Sequence, residues 1–493
     1  MNHQSNLLTV EDLSILIKNQ PIVEGISFNI LRGEKVAIVG PSGSGKTLTA
    51  YSVANLLNSK FKIKARRMVL EDHSGGKINL LNPNSSKYHQ IGFVFQEPQV
   101  ALNPLYPIGK QLIEGLKHFI PLSEIEDKLK SILDDLNLPK DPSFLEAFPH
   151  EISGGQLQRV VIGIAIAKNP ILLIADEPTT SLDSKTTVDI LDLIMKMVDR
   201  SKMSLLLITH DQNIVYKYCD RVLPFLQSNN FKARPEEKIS RVQAVNYKKN
   251  VLVELKSVNL YLKRRKNNYQ PILQNLSISI RKGEILGLVG KSGSGKSSLC
   301  KILAGLVKTQ YGELSLNCLP YKIQLVQQDP FLSLNPKFTV EETIGEVLMQ
   351  YHIFISKKAL QLKISSILDE VGLSDNYFKR KPIELSGGER QRIAIARSLA
   401  VEPDLLICDE AVSSLDFPTQ RKIIDLIITL NANRQMAILF VAHDLSLVEF
   451  CPSICVLDGG KIVEFYNNEG SLNFSSQVGK ELIKYNNLLK MKG

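Results

Sequence analysis

The chain has 493 residues, of which 44% are hydrophobic and 22% are charged, so it has the length and apolar content for about two large folded domains or three average ones. No segment reaches the ~18 uninterrupted apolar residues of a membrane-spanning helix, and residues 1–10 lack the basic and apolar regions of a secretory signal. We therefore expect a cytosolic protein. The formal net charge of +10 is compatible with an anionic membrane face or a nucleic acid as a partner.

The first strong signal along the chain is an apolar run, residues 36–39, that leads into a glycine-rich octapeptide with a second copy later in the sequence. Each copy fits G-x-x-x-x-G-K-[ST], a P-loop in which N–H groups at a helix start surround phosphates. We expect the helices to begin near Gly45 and Gly295. The candidate ATP-binding residues are Gly40, Ser42, Gly43, Ser44, Gly45, Lys46 and Thr47, and Gly290, Ser292, Gly293, Ser294, Gly295, Lys296 and Ser297. Thr47 and Ser297 are also candidate Mg²⁺ ligands.

The repeat continues in register beyond the P-loops. A constant separation of 233 residues joins three further pairs: Ser153 with Ser386, Asp176 with Asp409, and His210 with His443. Between its P-loop and Ser153 the first copy is longer than the second, and the extra residues fall around residues 60–84, a stretch rich in Lys, Asn and Ser. This composition predicts a surface excursion, where insertions are tolerated.

Two further apolar runs in each half end at polar residues. They lead into Asp176-Glu177 and His210 in the first half, and into Asp409-Glu410 and His443 in the second. Ligands bind at the carboxyl edge of an open α/β sheet, so we expect these groups beside the P-loops. Asp176 and Asp409 are candidate Mg²⁺ ligands, Glu177 and Glu410 are candidate bases for the attacking water, and His210 and His443 are candidate γ-phosphate sensors.

Between the P-loop and the second buried run, apolar residues recur at helical spacing in both halves: Leu129, Ile132, Leu133 and Leu136, and Leu362, Ile364, Ile367, Leu368 and Val371. The predicted fold is α/β, with two tandem P-loop NTPase domains, each a mixed sheet core with an inserted helical subdomain. The predicted boundaries are 1–240 for the first domain (helical subdomain about 99–170), 241–250 for a linker, 251–465 for the second domain (helical subdomain about 331–402) and 466–493 for a C-terminal tail with a modest helix signal.

A serine-glycine motif completes each half: Ile152-Ser153-Gly154-Gly155-Gln156 and Leu385-Ser386-Gly387-Gly388-Glu389. With the P-loop, the Asp-Glu pair and the histidine, this signature resembles the ATP-binding-cassette (ABC) ATPases, twice and over nearly the whole chain. In that family two cassettes close head to tail around two ATP molecules. The resemblance therefore implies that Lys46 shares an ATP with Ser386 and Gly388, and that Lys296 shares the other with Ser153 and Gly155. It also implies ATP and Mg²⁺ as cofactors and two hydrolytic sites.

A narrower resemblance rests on Gln96-Glu97-Pro98 before Ala101-Leu102-Asn103-Pro104, and on Gln328-Asp329-Pro330 before Ser333-Leu334-Asn335-Pro336. This is similar to the peptide/nickel importer branch, in which the glutamine contacts Mg²⁺ and water and the following loop touches the permease. The chain resembles two such ATPases fused. The resemblance implies a peripheral location on the cytoplasmic face of the inner membrane, two transmembrane permease subunits as partners and, indirectly, an extracytoplasmic solute-binding protein. Peptide is the first solute class and nickel or a metal chelate the second.

Some positions depart from the family pattern. The first signature begins with Ile152, the second ends in Glu389, and Ala411 replaces the usual proline after the glutamate. The aromatic residue that stacks on adenine stays open between Tyr261 and Tyr269 in the second half, and the first half offers none there. A cysteine cluster of some peptide-importer ATPases is missing, so no iron–sulfur cluster is expected, and no nucleic acid is expected either.

The main alternative is a soluble twin-cassette ABC factor that acts on ribosomes. That class is also without membrane spans, is often basic, and tolerates glutamate after Ser-Gly-Gly. It normally carries a long, charged helical linker between its cassettes, whereas the segment between His210 and Val251 is short. Fused sugar importers also approach this length, but their second P-loop is usually degenerate, whereas the one in this chain is intact. Vitamin-type importers stay open as an alternative, although they lack the Leu-Asn-Pro element.

Overall fold

The computed structural model describes most of the chain, namely residues 5–40, 43–72, 74–82, 90–117, 119–180, 182–225, 250–263, 269–351, 356–413, 415, 417–468 and 472–489. Two units emerge: Met1–Pro235 with Leu488–Gly493, and Glu236–Asn487. Residues 241–249 of the predicted linker at 241–250, and the candidate ATP-binding residue Ser42, lie outside the described residues. The domain boundaries therefore stay predictions.

The described part of the first unit opens with strands, continues through a run of helices in its middle and then alternates between strands and helices. The strands are β1 (Asn6–Ile17), β2 (Gln20–Leu31), β3 (Lys35–Val39), β4 (Phe61–Lys64), β5 (Arg67–Glu71), β6 (Lys77–Asn79), β7 (Ile91–Val94), β8 (Leu172–Asp176), β9 (Ser204–Ile208) and β10 (Arg221–Pro224). The α-helices are α1 (Lys46–Val53), α2 (Pro98–Ala101), α3 (Ile108–Lys117), α4 (Ile125–Asp135), α5 (Pro142–Leu145), α6 (Gly154–Ile166), α7 (Ser184–Ser201) and α8 (Gln212–Tyr218).

The second unit repeats this succession. Its described strands are β11 (Val251–Lys263), β12 (Tyr269–Arg281), β13 (Ile285–Gly290), β14 (Tyr311–Leu316), β15 (Ile323–Val326), β16 (Leu405–Asp409), β17 (Ala437–Ala442), β18 (Ser453–Asp458) and β19 (Lys461–Asn467). Its α-helices are α9 (Lys296–Leu303), α10 (Pro330–Ser333), α11 (Val340–Tyr351), α12 (Lys357–Glu370), α13 (Gly387–Leu399), α14 (Phe417–Arg434) and α15 (Gln477–Leu489).

A parallel sheet of buried strands forms the centre of each unit. In the first unit the strand order is β10-β3-β9-β8-β7, and in the second it is β18-β13-β17-β16-β15, with β19 added antiparallel to β18. Strands β3, β8 and β9 are apolar along almost their whole length because both faces of the sheet are covered. The predicted α/β fold is confirmed. In each unit the P-loop strand, β3 or β13, lies between the strand that leads into the histidine, β9 or β17, and a further parallel strand, β10 or β18.

Part of the stretch expected to be a surface excursion, residues 60–84, belongs to an antiparallel sheet. Strands β4 and β5 both pair with β1, and β6 pairs with β5. Strand β5 pairs with β1 in the register in which β14 pairs with β11 in the second unit, so β5 is part of the repeat and not of the extra residues. Met68 and Leu70 are fully buried, while the intervening positions on β5 are more exposed. This alternation follows the period of two of a half-buried strand. The Lys-, Asn- and Ser-rich composition of this stretch hid the short strand β5, whose side chains contribute to the core.

The helical segments bury most of the residues that the sequence pattern indicates. Leu129, Ile132, Leu133 and Leu136 are buried, as are Ile364, Ile367, Leu368 and Val371. Leu362 was predicted with the second set but is 64% exposed. It lies two positions before Ile364, about 200° around the helix axis, so it faces away from the apolar stripe.

A buried carboxylate at the start of the P-loop strand is paired in one unit and poorly paired in the other. Arg221 donates to Glu34 from Nε at 2.6 Å and from Nη2 at 3.1 Å. The register of the parallel pairs places Ser453 where Arg221 stands. Glu284 is fully buried, accepts from the N–H of Arg281 at 2.8 Å, and has one oxygen with no hydrogen-bond partner among the described residues. Burial raises the pKa of Glu284, although Arg281 partly offsets this.

We expect Glu284→Gln to stabilise the second unit at neutral pH by about 1 kcal/mol. A carboxyl whose pKa is raised on folding favours the folded state only while protonated, so the wild-type unit loses stability as the pH rises above the ordinary glutamate range, and the variant does not. Urea unfolding at pH 5 and pH 8 measures the difference. The matched control is Glu34→Gln, which removes the partner of Arg221 and should destabilise the first unit. Equal losses in both variants at pH 8 would contradict the prediction.

Candidate active sites

Both P-loops turn into their helices through a glycine that no other residue replaces easily. Gly45 and Gly295 have φ of 95° and 104°, and α1 and α9 begin at the next residue. A Cβ on Gly45 would lie 2.4 Å from Val23 Cγ2, and one on Gly295 would lie 2.8 Å from Leu273 Cδ2. No side chain caps either helix start. The backbone N–H groups of the first turn therefore point at the loop, where an anion can bind them.

The P-loop lysines fold back over their own loops. Lys46 Nζ donates to Gly40 O at 2.8 Å, and Lys296 Nζ donates to Gly290 O at the same distance. Lys296 donates in addition to Lys291 O at 3.1 Å. Both lysines are buried, so their charge is held in a site of low dielectric, where its attraction for a phosphate is stronger than in water.

Buried serine hydroxyls lie within the same loops. Ser44 Oγ and Ser294 Oγ have no hydrogen-bond partner among the described residues, although both atoms are inaccessible to solvent. Gly43 and Gly293 have φ of 79° and 76°, and the space where their Cβ atoms would stand is open. At these described glycines the two octapeptides thus have matching backbone conformation, which the sequence repeat predicts.

The hydroxyl after each lysine meets the aspartate at the end of the neighbouring strand. Thr47 Oγ1 donates to Asp176 Oδ1 at 3.2 Å, and Ser297 Oγ donates to Asp409 Oδ1 at 3.2 Å. Burial raises the pKa of Asp176 to about 6, against the hydrogen bond from Thr47 and the charge of Lys46, which lower it. Burial raises the pKa of Asp409 in the same way.

The oxygen set at this point fits Mg²⁺. Asp176 Oδ2 is buried and accepts no hydrogen bond from any described residue. A carboxylate beside a hydroxyl supplies the hard oxygen ligands that Mg²⁺ takes, and a cation would also offset the cost of burying the charge. Asp176 with Thr47, and Asp409 with Ser297, are therefore suited to hold the metal.

Glu177 and Glu410 follow the strand ends in an unusual backbone conformation. Their φ values are 44° and 49°, in the left-handed region that non-glycine residues rarely adopt. The N–H of Glu177 donates to Ile208 O at 2.9 Å, and that of Glu410 donates to Val441 O at 3.0 Å, so the adjacent strand fixes both. Backbone strain of this kind concentrates at functional sites. The sequence did not reveal it.

The glutamate of each site has a histidine beside it. His210 Nδ1 lies 3.4 Å from Glu177 Oε1, and His443 Nδ1 lies 3.4 Å from Glu410 Oε2. The first contact is a hydrogen bond, whereas His443 Nδ1 has no hydrogen-bond partner among the described residues. Burial alone would raise the pKa of both glutamates and lower that of both histidines. Their mutual attraction outweighs burial, so the pKa of each glutamate is lowered and that of each histidine is raised.

Further groups hold Glu177. Gln96 Nε2 donates to Glu177 Oε2 at 3.1 Å, and Thr180 Oγ1 donates to the same oxygen at 3.0 Å. Gln328 stands two residues beyond β15, as Gln96 stands two beyond β7. In the second site Lys296 Nζ lies 3.8 Å from Glu410 Oε1. Thr180 was not predicted from the sequence. Its only signal was a hydroxyl three residues after the glutamate, a spacing common in turns.

Each signature motif forms the start of a helix. Ser153 caps α6 by accepting from Gln156 N at 3.3 Å, and Gln156 Oε1 accepts from Ser153 N at 3.0 Å. Ser386 and Glu389 form the same reciprocal pair on α13, at 3.3 and 2.7 Å. Both serines are exposed. The motif therefore presents a hydroxyl and free N–H groups on the surface of each unit, as an anion site requires.

The glutamate of the second signature has a partner that the sequence did not indicate. Tyr377 OH donates to Glu389 Oε1 at 2.6 Å, and the Arg380 guanidinium lies 4.4 Å from the centre of the Tyr377 ring. Burial alone would raise the pKa of Glu389, but Tyr377 and the Ser386 N–H lower it. The departure from glutamine is thus accommodated, and Glu389 stays ionised while it caps the helix.

The small residues of the signatures allow close packing on the helix that follows the Asp-Glu pair. A Cβ on Gly155 would lie 2.9 Å from Thr186 Cγ2, and one on Gly388 would lie 2.5 Å from Thr419 Cγ2. The same contact in both units packs the signature against the first turn of the helix that follows the Asp-Glu pair.

Adenine recognition is not fixed by the aromatic side chains. Tyr261 packs edge-on against Tyr311 with ring centres 6.3 Å apart, and Tyr269 is exposed. Across the part of the chain that the structure describes, no helix has the length and hydropathy needed to cross a membrane.

Comparison with known proteins shows the family to which the chain belongs. The chain matches the family described as ABC transporter over residues 23–180 and again over 273–413. It is 34% identical to the peptidoglycan transport ATP-binding protein YejF of Agrobacterium fabrum, across 93% of this chain and 92% of that protein. It is 32% identical to the glutathione import ATP-binding protein GsiA of Escherichia coli K12, across 93% of this chain and 86% of that protein. A solved dimeric ATP-binding cassette in a post-hydrolysis state, bound to ADP and Pi, is 27% identical over 45% of this chain and all of its own, with a TM-score of 0.41. The chain therefore belongs to the ABC transporter family, and it is an ATPase with two of that family's nucleotide-binding regions in one polypeptide.

Proposed function

We propose that the protein is the ATP-hydrolysing subunit of an importer that takes up peptides or peptide-containing molecules through separate membrane subunits. One observation carries the motor role: both units hold a P-loop lysine, a hydroxyl, an aspartate, a glutamate and a histidine in matching geometry. The hydroxyl–aspartate distance is 3.2 Å and the histidine–glutamate distance is 3.4 Å in each. Neither site has lost a member, which supports two hydrolytic sites.

The solute class is drawn from the relatives. One is named for peptidoglycan transport and another for glutathione import. Glutathione is a tripeptide and peptidoglycan carries peptide stems, so peptide chemistry is what the two solutes share. Nickel or a metal chelate is the second candidate. The transport names favour an importer over a ribosome-associated factor.

Within each site we assign ATP binding to the P-loop. The N–H groups from Gly43 to Thr47 and the ammonium of Lys46 bind the β- and γ-phosphates, and residues 293–297 with Lys296 repeat this. Bound Mg²⁺, held by Asp176 with Thr47 and by Asp409 with Ser297, and reached by Gln96 and Gln328, would neutralise charge that develops on the phosphates. Hydrolysis in this scheme needs the lysine to leave its own loop carbonyl for the phosphate.

Glu177 and Glu410 are the proposed bases for the attacking water. Their lowered pKa keeps them ionised at neutral pH, and an ionised carboxylate can accept the proton of the water. The left-handed backbone and the contacts from Gln96 and Thr180 hold the carboxylate of Glu177 in one position. His210 and His443 orient the glutamates and are proposed to contact the γ-phosphate. Such positioning reduces the entropy lost on reaching the transition state.

The signature residues that complete each ATP site are proposed from the family resemblance. Ser386, Gly387, Gly388 and Glu389 are proposed to face the ATP held by Lys46, and Ser153, Gly154, Gly155 and Gln156 the ATP held by Lys296. The exposed, capped serines support this role, because a hydroxyl and helix N–H groups at the surface are available to a phosphate outside their own unit.

The loop after each glutamine is the proposed permease contact. Asn103 Oδ1 accepts from Leu105 N at 3.0 Å, and Asn335 Oδ1 accepts from Lys337 N at 3.1 Å, so both asparagines form tight turns. Val100 and Leu105 beside the first turn are 77% and 79% exposed. Apolar side chains displayed on a rigid turn suit a protein partner. We propose two permease subunits, a solute-binding protein that acts through them, and a peripheral position on the cytoplasmic membrane face.

Transport in reconstituted vesicles tests the proposal. We expect the chain, co-expressed with the membrane subunits of its transporter, to co-purify with those subunits and to drive ATP-dependent accumulation of a labelled tripeptide. Val100→Ser with Leu105→Ser should weaken co-purification while ATP hydrolysis by the isolated chain is retained. Recovery of the chain with ribosomes and not with membranes would overturn the importer assignment.

A further inference from the structure

We infer that Glu481, on the C-terminal helix α15, is a positioning residue for the second P-loop and sets the ATP affinity of that site through Lys291. The inference rests on the proposal that this P-loop and Lys296 bind ATP. Lys291 is the second residue of the octapeptide at 290–297. Its ammonium lies 2.8 Å from Glu481 Oε2. The tail of the chain is thereby joined to a phosphate-binding loop that lies far from it in sequence.

The backbone of residue 291 is part of the cradle for the P-loop lysine. Lys291 O accepts from Lys296 Nζ at 3.1 Å, beside Gly290 O at 2.8 Å. The same carbonyl accepts from Ser294 N at 3.1 Å. A shift of residue 291 would therefore move the ammonium of Lys296 and the N–H groups that follow it. An anchor on the Lys291 side chain acts on the site through this carbonyl.

Glu481 is itself held on a well-anchored element. Glu464 on β19 accepts from Ser475 N at 2.6 Å and from Ser476 N at 2.9 Å, which fixes the approach to α15. Phe474 is buried and packs edge-on against Tyr466 with ring centres 5.1 Å apart.

Packing along α15 completes this anchor. Leu482 is buried in the core of the second unit, and Asn486 Nδ2 donates to Glu449 Oε1 at 3.3 Å. A Cβ on Gly479 would lie 2.3 Å from Phe474 Cβ, so the helix fits closely on its support. The carboxylate that reaches Lys291 is thus presented from a rigid helix rather than from a loose tail.

The first P-loop has a different residue at the equivalent position. Pro41 stands where Lys291 stands in the second copy. Proline fixes its own φ near −65°, so it restricts the loop covalently. Lysine leaves the backbone free, and in the second copy a side-chain ion pair supplies the restriction instead. The two sites of this chain consequently differ, because a proline at this position cannot form the ion pair that joins Lys291 to α15.

The expected effect is moderate because the pair is partly in water. The side chains of Lys291 and Glu481 are 33% and 30% exposed, and exposed pairs of this kind change equilibria by about two- to fivefold. We therefore expect Glu481→Gln to raise the Kd of the second site for ATP by about two- to fivefold.

Binding of radiolabelled ATP to the full chain tests this, with Lys46→Ala present so that the second site is observed alone. The charge-reversed pair Lys291→Glu with Glu481→Lys should restore the parental Kd. In a chain that also carries Lys291→Pro, Glu481→Gln should have no effect, because proline already restricts the loop. Lys480→Gln, one residue away on α15, is the matched control and should leave the Kd unchanged.

The outcomes separate the inference from the proposal beneath it. An unchanged Kd in Glu481→Gln, a tighter one, or an equal loss in the Lys291→Pro chain would overturn the role of Glu481. If the second P-loop did not bind ATP, Lys296→Ala would leave ATP binding by the Lys46→Ala chain unchanged. With Lys296→Ala in place of Lys46→Ala, Glu481→Gln should not alter binding at the first site.

Discussion

Replacement of Glu177 and Glu410 together by glutamine is expected to lower ATP turnover by about a hundred- to ten-thousandfold, the contribution of a positioned general base. Glutamine keeps the shape and can accept the hydrogen bonds from Gln96 and Thr180 through its amide oxygen. It cannot take a proton from water. ATP binding should survive, since the P-loop is unaltered. The variant should therefore retain bound ATP and release little phosphate, measured by a phosphate assay and by nucleotide content after gel filtration.

Two controls bear on this result. Glu146→Gln removes an exposed carboxylate from the first unit and should leave turnover at the parental rate. The single variants Glu177→Gln and Glu410→Gln report each site separately. If the double variant hydrolysed ATP as fast as the parent, the water would be activated by another group and the assignment of both glutamates would be wrong. Loss of bound ATP together with turnover would point instead to a folding defect at the left-handed strand ends.

The sequence predicted the fold and the site best where physics leaves few alternatives. The repeated octapeptide required a strand–loop–helix unit in each half, and the apolar runs before Asp176 and Asp409 required strands buried on both faces. The sequence could not reveal the left-handed φ of Glu177 and Glu410. That conformation is imposed by the hydrogen bond to the neighbouring strand, a contact between residues distant in sequence.

Other features were hidden because they depend on a partner from elsewhere in the chain. Glu34 and Glu284 occupy matching positions, but only the register of β10 and β18 shows that Arg221 is replaced by Ser453. Tyr377 gave no signal of its contact with Glu389. The polar composition of residues 60–84 hid the contribution that β5 makes to the core. In each case local pattern was overridden by tertiary contact, which periodicity along one segment does not encode.

In a chain that carries Lys46→Ala, replacement of Ser153 should speed release of the remaining ATP, whereas replacement of Ser386 should not. The background is the Glu177→Gln, Glu410→Gln chain, in which bound ATP is not consumed. Lys46→Ala removes the first ATP, and the release rate of the remaining one is then measured by filtration. If Ser153 serves the ATP of Lys296, adding Ser153→Ala should speed release by about ten- to a hundredfold, the range for a lost hydrogen bond to a charged group. Adding Ser386→Ala should leave the rate unchanged, because the ATP it serves is already absent.

Loss of the helix cap would not explain a difference in ATP release between the two serine variants. Each serine caps its helix through the same reciprocal pair, with Gln156 on α6 and Glu389 on α13, so the cost of losing a cap is similar in both variants. Only the identity of the ATP served differs between them. Were each unit self-sufficient, Ser153 would belong with Lys46, and the pattern would reverse: Ser386→Ala would accelerate release and Ser153→Ala would not. The reversed pattern would leave the head-to-tail arrangement without support, because a signature that acts on the ATP of its own P-loop has no need of the opposite unit.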